Sequence, residues 1–150
     1  MVMSLSDFPA PDEGILLSFF LTVGDVSRSR AFYRDVIGGR VVLEGNPCTL
    51  RVANSWLIMN PGGAPTPDKP ATTLRPPEPG DPVSCFLNIR VADIWSVYRE
   101  WSEKGAEFLT PPLDREAELR CYLRDPDGYL IEVGQATGML RGRFADPPPT

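Results

Sequence analysis

Two stretches of the sequence decide the fold: "FLTVGDV", residues 20–26, and "IRVADI", residues 89–94. Each has the apolar character of a strand end, followed by an aspartate, Asp25 or Asp93, that is well placed to cap the next helix. Both predicted helices stop at glycine, in "IGG" (37–39) and "KGA" (104–106). The order of strand, capped helix and glycine stop occurs twice, which indicates an internal duplication.

Three short strands are predicted after each helix. They cover residues 40–44, 48–53 and 56–60 after the first helix, and "AEFL" (106–109), "ELRCYLRD" (118–125) and "YLIEVGQ" (129–135) after the second. The leading strands are predicted at residues 15–23 and 83–91. The fold class is therefore α+β, with two tandem βαβββ modules that form a half-open, cup-shaped mixed sheet with the helices outside.

The chain is expected to divide in five parts. Residues 1–14 form a loose lead-in, 15–60 the first module, 61–82 a connector rich in proline and glycine, 83–135 the second module and 136–150 a tail. The connector is too rich in proline to be an ordinary helix or a central strand. A connector of this length is either a lid or a plain spacer.

Composition excludes several classes of function. The net charge of -5 argues against a nucleic-acid partner, which requires a basic face. No apolar run is long enough to cross a bilayer, so no membrane partner is expected. The three cysteines, an odd number in apolar stretches, predict buried free thiols in a reducing cytoplasm.

Two further motifs carry a family resemblance. "LTVGDVSRSRAFYRDVIGG" (21–39) and "RDPDGYLIEVGQ" (124–135) resemble the first-module signature and the second-module ending of the vicinal oxygen chelate superfamily. That superfamily includes glyoxalase I, extradiol dioxygenases, fosfomycin-resistance enzymes and bleomycin-resistance binding proteins. The resemblance covers roughly Leu16 to Gln135 and implies the cup-shaped fold and a homodimer.

The resemblance also implies where a metal would be bound. Metal-binding members use His or Glu at four positions inside the cup, and these fall on Ser18, on Phe86, on Leu57 or Ile58, and on Glu132. Only Glu132 retains a ligating side chain, and the chain contains no histidine. One carboxylate does not hold a divalent transition metal, so we expect no metal and no cofactor.

If Ser18 and Phe86 face into the cup, strand alternation predicts which other side chains line it. The expected ligand-binding set contains aromatic, hydroxyl, amide, guanidinium and carboxylate groups, a mixture suited to a flat or partly polar organic molecule. Its members are Ser18, Phe20, Thr22, Trp56, Phe86, Asn88, Arg90, Arg120, Tyr122 and Glu132.

Three roles for Glu132 fit the sequence. It is a relic neutralised by Arg90 or Arg120, a general base, or an anchor for a cationic ligand. The first functional hypothesis is a metal-free binder of a small organic molecule, of the sequestration or resistance type. The second is a metal-independent isomerase, epimerase or lyase in which Glu132 is the catalytic acid or base. The third is a non-catalytic partner domain.

Overall fold

The computed structural model describes residues 8–138, and these divide into two compact units between Glu78 and Pro79. Residues 1–7 of the predicted lead-in and 139–150 of the predicted tail lie outside the described residues. Each unit contains one helix and one open mixed sheet, which confirms the α+β class and the duplicated module.

Unit 1, residues 8–78, contains the first module. Its elements are β1 (Phe19–Thr22), α1 (Val26–Asp35), β2 (Arg40–Leu43), β3 (Cys48–Val52) and β4 (Ser55–Asn60). The sheet order is β1-β4-β3-β2, with β1 parallel to β4 and the other pairs antiparallel. The first strand of the module therefore lies beside its last strand.

Unit 2, residues 79–138, repeats this topology. Its elements are β5 (Leu87–Arg90), α2 (Ile94–Glu103), β6 (Glu107–Phe108), β7 (Leu113–Asp114), β8 (Glu118–Arg124) and β9 (Leu130–Ala136). The order β5-β9-β8-β6 again places the first strand parallel to the last, and β7 pairs with β8. The two-residue strand β7 was not predicted, and "AEFL" forms a strand only at Glu107–Phe108.

Both helices begin where the sequence predicts. The Asp25 carboxylate accepts a hydrogen bond from the Arg28 backbone N–H at 3.0 Å, and Asp93 accepts one from Ser96 at the same distance. Gln135 adds a second contact at the start of α2, because its side-chain oxygen accepts the Ile94 N–H at 2.8 Å. This contact joins β9 to the helix and satisfies one of the helix's unpaired amides.

The expected end of the first helix was two residues too far along the chain. The helix α1 ends at Asp35, and the N–H groups of Val36 and Ile37 both bond to the Phe32 carbonyl. That pattern is a terminal turn, which Gly38 continues with a positive φ of 92°.

The leading strands are also shorter than predicted. Only Phe19–Thr22 and Leu87–Arg90 form strands, so residues 15–18 and 83–86 precede the sheets. Among residues 8–138, β1 and β5 lie at the edges of their sheets with one neighbouring strand each, and β4 and β9 pair with them over four residues each. Apolar composition predicted a longer strand, but strand length here depends on the partner.

The part of the connector that lies in unit 1 is folded back on itself. Gly63 and Leu74 exchange two backbone hydrogen bonds, and the Lys69 ammonium donates to the Ala64 carbonyl at 2.8 Å. Gly62 lies so close to β1 that an added Cβ would be 2.5 Å from Thr22 Cγ2 and 2.5 Å from the Leu74 carbonyl oxygen. Residues 61–82 contain no helix, and their strand-like pairing consists of two isolated bridges, Gly63 with Leu74 and Thr66 with Lys69.

No helix within residues 8–138 has the length and apolar character needed to cross a membrane.

The prediction that all three cysteines are buried was wrong for Cys85. Cys48 and Cys121 are buried on strands, whereas Cys85 lies before β5 and is exposed. All three are free thiols. Burial raises the pKa of Cys48, and it raises the pKa of Cys121 to about 11.

The cysteines give a first testable prediction. At pH 8 we expect one thiol per native chain, that of Cys85, to react rapidly with Ellman's reagent, and three to react in denaturant. The buried thiols stay protonated because their pKa values are raised, and the thiolate is the reactive form. A Cys85→Ser variant serves as the control and should show no rapid phase. Rapid reaction of a second native thiol would contradict this assignment.

Candidate ligand-binding site

One face of the unit 2 sheet carries five of the ten predicted site residues. The register places Asn88 on β5 and Tyr122 on β8 directly opposite Glu132 on β9. Because side chains alternate along a strand, residues two positions away share the same face. We call this surface the Glu132 face; its members are Asn88, Arg90, Glu118, Arg120, Tyr122 and Glu132.

Glu132 is buried, and both of its carboxylate oxygens accept hydrogen bonds from neutral donors. The Asn88 amide donates to Oε1 at 2.9 Å, and the Tyr122 hydroxyl donates to Oε2 at 2.8 Å. Burial raises the pKa of Tyr122, and the accepting carboxylate raises it further. The tyrosine hydroxyl therefore stays protonated at neutral pH and serves as a donor.

The two arginines hydrogen-bond to Glu118 and not to Glu132, the acid that the sequence suggested as their partner, although Arg90 also lies within ion-pair range of Glu132. Arg90 Nη1 and Arg120 Nη1 hydrogen-bond to the two carboxylate oxygens of Glu118, the second at 3.1 Å. Arg90 Nη1 lies 3.9 Å from Glu132 Oε1, which is within ion-pair range but too far for a hydrogen bond. Glu132 therefore has a cationic neighbour, but its hydrogen bonds come from neutral groups.

Glu118 was missed in the sequence, although a signal for it was present. It lies two and four residues before Arg120 and Tyr122, so period-two alternation places all three on one face of β8. What the sequence did not indicate is that Arg90, two strands away on β5, reaches across β9 to Glu118.

Gly134 makes that reach possible. It lies opposite both Arg90 and Arg120 in the sheet, and an added Cβ would be 2.1 Å from Arg90 Nη1. The Arg90 guanidinium thus occupies the space that a side chain at residue 134 would fill.

Gly134→Ala is therefore expected to displace the Arg90 guanidinium and break its pair with Glu118. We expect the free energy of unfolding to fall by at most about 1 kcal/mol, because the displaced group is the end of a flexible, partly exposed side chain and the ion pair lost is partly exposed. The matched control is Gly45→Ala, because nothing lies within 4 Å of a Cβ added there. Urea denaturation of both variants measures the difference. An equal effect of the two substitutions would show that Arg90 does not need the space above Gly134.

Phe86 places an aromatic ring beside this network. It precedes β5, is 40% exposed, and its ring meets the Tyr122 ring edge-on with centroids 5.9 Å apart. The Arg120 guanidinium carbon is 5.8 Å from the Tyr122 ring centroid. An accessible ring therefore borders a layer of charged and amide groups.

The other predicted site residues lie in unit 1. Phe20 and Thr22 on β1 are opposite Ile58 and Asn60 on β4, and alternation along β4 places Trp56 on that same face. Phe20 is partly exposed, whereas Thr22 is buried. Ser18 precedes β1 and is exposed.

Trp56 is buried, and the Arg51 guanidinium lies 4.3 Å from its ring centroid. This cation–π contact occupies one side of the indole. Within residues 8–138, the fully buried Thr49 hydroxyl, opposite Ile58, has no hydrogen-bond partner.

The position equivalent to the third metal ligand falls on one of two residues. Ile58 shares a face with Phe20, whereas Leu57 is buried on the opposite face, across from Leu50. In the part of the chain that the structure describes, no group of three or more His, Cys, Asp or Glu side chains has the geometry to hold a metal ion.

Comparison with known proteins agrees with the fold. The sequence model of one family, described as the glyoxalase/bleomycin resistance protein/dioxygenase superfamily, matches residues 15–133. The virulence protein STM3117 of Salmonella typhimurium is 28% identical over 120 residues, which cover 77% of this chain and 79% of that protein.

Solved structures show the same fold at lower identity. An integron cassette protein from Vibrio cholerae aligns with a TM-score of 0.63 at 23% identity, covering 84% of this chain and 98% of that one. TnmS3, described as an antibiotic-binding protein from Streptomyces sp. CB03234, aligns with a TM-score of 0.60 at 18% identity, covering 85% of this chain and 100% of that one. Likeness at this level of identity establishes the fold alone.

Proposed function

Because the chain belongs to the glyoxalase/bleomycin resistance protein/dioxygenase superfamily, we propose that it is a metal-independent member that binds a small organic molecule at the Glu132 face. The observation that carries this proposal is the pairing of Glu132. Its two oxygens are occupied by Asn88 and Tyr122, and the exposed Phe86 ring lies beside them. Polar groups held in place next to an accessible ring are typical of small-molecule sites.

A degenerate metal site is part of the proposal. The four family positions hold a serine, a phenylalanine, an aliphatic residue and Glu132, so their donor atoms are one hydroxyl and one carboxylate. That set does not fit a transition metal, which needs three or four ligating groups. Adding Zn²⁺, Ni²⁺ or Mn²⁺ should leave the melting temperature unchanged, because a metal bound only by the native state would raise it.

A role in sequestration or resistance fits the same site. TnmS3, which shares the fold, is described as antibiotic-binding, and binding alone needs no catalytic group. The experiment is a thermal-shift screen of hydrophobic natural products, followed by titration calorimetry of the hits. Phe86→Ala should weaken any hit, whereas Trp95→Ala, which removes a similarly exposed aromatic side chain on α2, should not. Absence of hits, or hits indifferent to Phe86, would refute the proposal.

A metal-independent isomerase, epimerase or lyase is the second candidate. It is favoured by the Tyr122 hydroxyl at 2.8 Å from a buried carboxylate, which resembles an acid and base held side by side. Glu132 would accept a substrate proton and Tyr122 would hold the carboxylate in position. Glu132→Gln should then abolish turnover while ligand binding persists; unchanged turnover removes this candidate.

A homodimer and a cytoplasmic location complete the proposal. Family resemblance supports pairing of two chains, and exposed apolar side chains such as Ile15 and Trp95 offer surface for it. The free cysteines are consistent with a reducing compartment. Light scattering after size-exclusion chromatography tests the dimer, and a monomeric mass would exclude it.

A further inference from the structure

Each carboxylate oxygen of the Glu132 face already accepts a hydrogen bond from another side chain of that face. Asn88 and Tyr122 donate to the two oxygens of Glu132. Arg90 and Arg120 donate to the two oxygens of Glu118. Each oxygen keeps a second lone pair, but a ligand that donates to it would share the oxygen with a donor of the protein.

Several hydrogen-bond donors of the Glu132 face are not engaged by other groups of residues 8–138. Arg90 and Arg120 each use only Nη1 in hydrogen bonds to other groups of residues 8–138. A guanidinium has five N–H donors in a planar fork. Each arginine therefore retains donors for a further acceptor, and Asn88 adds the second N–H of its amide.

The cationic side chains of the Glu132 face are more exposed to solvent than its carboxylates. The side chains of Arg90 and Arg120 are 45% and 31% exposed, whereas those of Glu118 and Glu132 are 15% and 6% exposed. The charges of the two carboxylates and the two guanidinium groups sum to zero, but the positively charged groups are the more exposed. A molecule arriving from solvent meets cationic donors first, beside the Phe86 ring.

We infer that the Glu132 face binds a planar aromatic molecule that carries a carboxylate, with the carboxylate on Arg90 and Arg120 and the ring against Phe86. This inference rests on the proposed binding function and names its ligand class. Guanidinium groups bind carboxylates with two parallel hydrogen bonds, which makes them selective for planar anions. A cationic ligand would meet like charge, so the anchoring role considered for Glu132 is disfavoured.

The net negative charge of the chain does not prevent the Glu132 face from binding an anion. The net charge is -5, but exposed charges more than about 8 Å apart are largely screened at physiological ionic strength. The two arginines in direct contact with the ligand therefore dominate its interaction with the protein.

The test uses three probes with the same ring and different charge: 2-naphthoate, 2-naphthamide and 2-(aminomethyl)naphthalene. Each is titrated into the ¹⁵N-labelled full-length chain and followed by NMR. We expect 2-naphthoate to bind at least about tenfold more tightly than the other two, a difference of about 1.4 kcal/mol. The amide signals of Phe86, Arg90 and Tyr122 should shift.

Two variants localise the effect. Arg120→Gln should weaken 2-naphthoate about tenfold, while Arg99→Gln, which removes an exposed arginine on α2, should leave its affinity unchanged. Phe86→Ala provides a second variant. The ring is 40% exposed, so we expect its removal to leave the fold intact and to weaken all three probes.

Two outcomes would overturn the inference. Equal or tighter binding of the amide or the amine at this face would refute the ligand class but leave the proposed binding function intact. Failure of all three probes would refute the ligand class as well, and the broader natural-product screen would then decide the binding function by itself.

Discussion

Glu132→Ala is expected to lower the free energy of unfolding by about 3 kcal/mol, because it removes a buried carboxylate that accepts two hydrogen bonds. The loss leaves Asn88 and Tyr122 without their acceptor and Arg90 without its second anionic neighbour. For a chain of this size the melting temperature should fall by roughly 6–12 °C. Urea denaturation and calorimetry measure both quantities.

Two further variants distinguish the contribution of the negative charge to stability from that of the side chain's shape and hydrogen bonds. Glu132→Gln keeps the shape and an acceptor oxygen, so we expect a loss of only about 1 kcal/mol. Tyr122→Phe removes a single hydroxyl donor, and the double variant with Glu132→Gln should show a coupling energy above about 0.5 kcal/mol. If Glu132→Ala is no more destabilising than Glu132→Gln, Glu132 is not the centre of the network.

Leu123→Ala should have a comparable or larger effect, about 2–5 kcal/mol, through the opposite face of the same sheet. Leu123 has no exposed surface and lies on β8 between Phe108 on β6 and Ile131 on β9. Its replacement removes buried apolar surface and leaves a cavity that the paired strands cannot close.

Leu109→Ala is the control for that prediction. The same side chain is removed, but Leu109 is 52% exposed, so a change within about 0.5 kcal/mol is expected. Chemical denaturation of the two variants compares them. Similar losses would mean that the apolar layer beneath β8 does not stabilise unit 2 in the way its burial indicates.

Together these variants compare the two faces of unit 2. One face carries the apolar layer of Cys121, Leu123, Ile131 and Val133, all buried, and the other carries the Glu132 face. Because alternation assigns neighbouring residues to opposite faces, Leu123 reports on folding and Tyr122, one residue earlier, reports on the site.

Much of the fold could be predicted because its signals are local. Asp25 and Asp93 cap their helices through contacts three residues away, which the sequence displays directly. The turn at Asp125 follows from the same kind of contact, since its carboxylate accepts the N–H groups of Asp127 and Tyr129. The duplication predicted the βαβββ order because each module repeats these local signals.

The predictions that were wrong concern segments whose structure depends on a residue or strand far away in the sequence. Residues 15–18 and 83–86 are apolar enough for strands, but β4 and β9 pair with only the last part of each predicted strand. Cys85 is consequently exposed rather than buried. An edge strand ends where its single neighbour stops pairing, and local composition does not encode that point.

The amino-acid sequence by itself determined the duplicated module, the helix caps and the face on which Glu132 lies, because each depends on spacings of a few residues along one chain segment. Only the tertiary structure decided which acid the arginines bind. Arg90 reaches Glu118 across β9, over the bare surface of Gly134. That contact joins residues from two non-adjacent strands, so it exists only when the register of β5, β9 and β8 and the gap at one glycine are all in place.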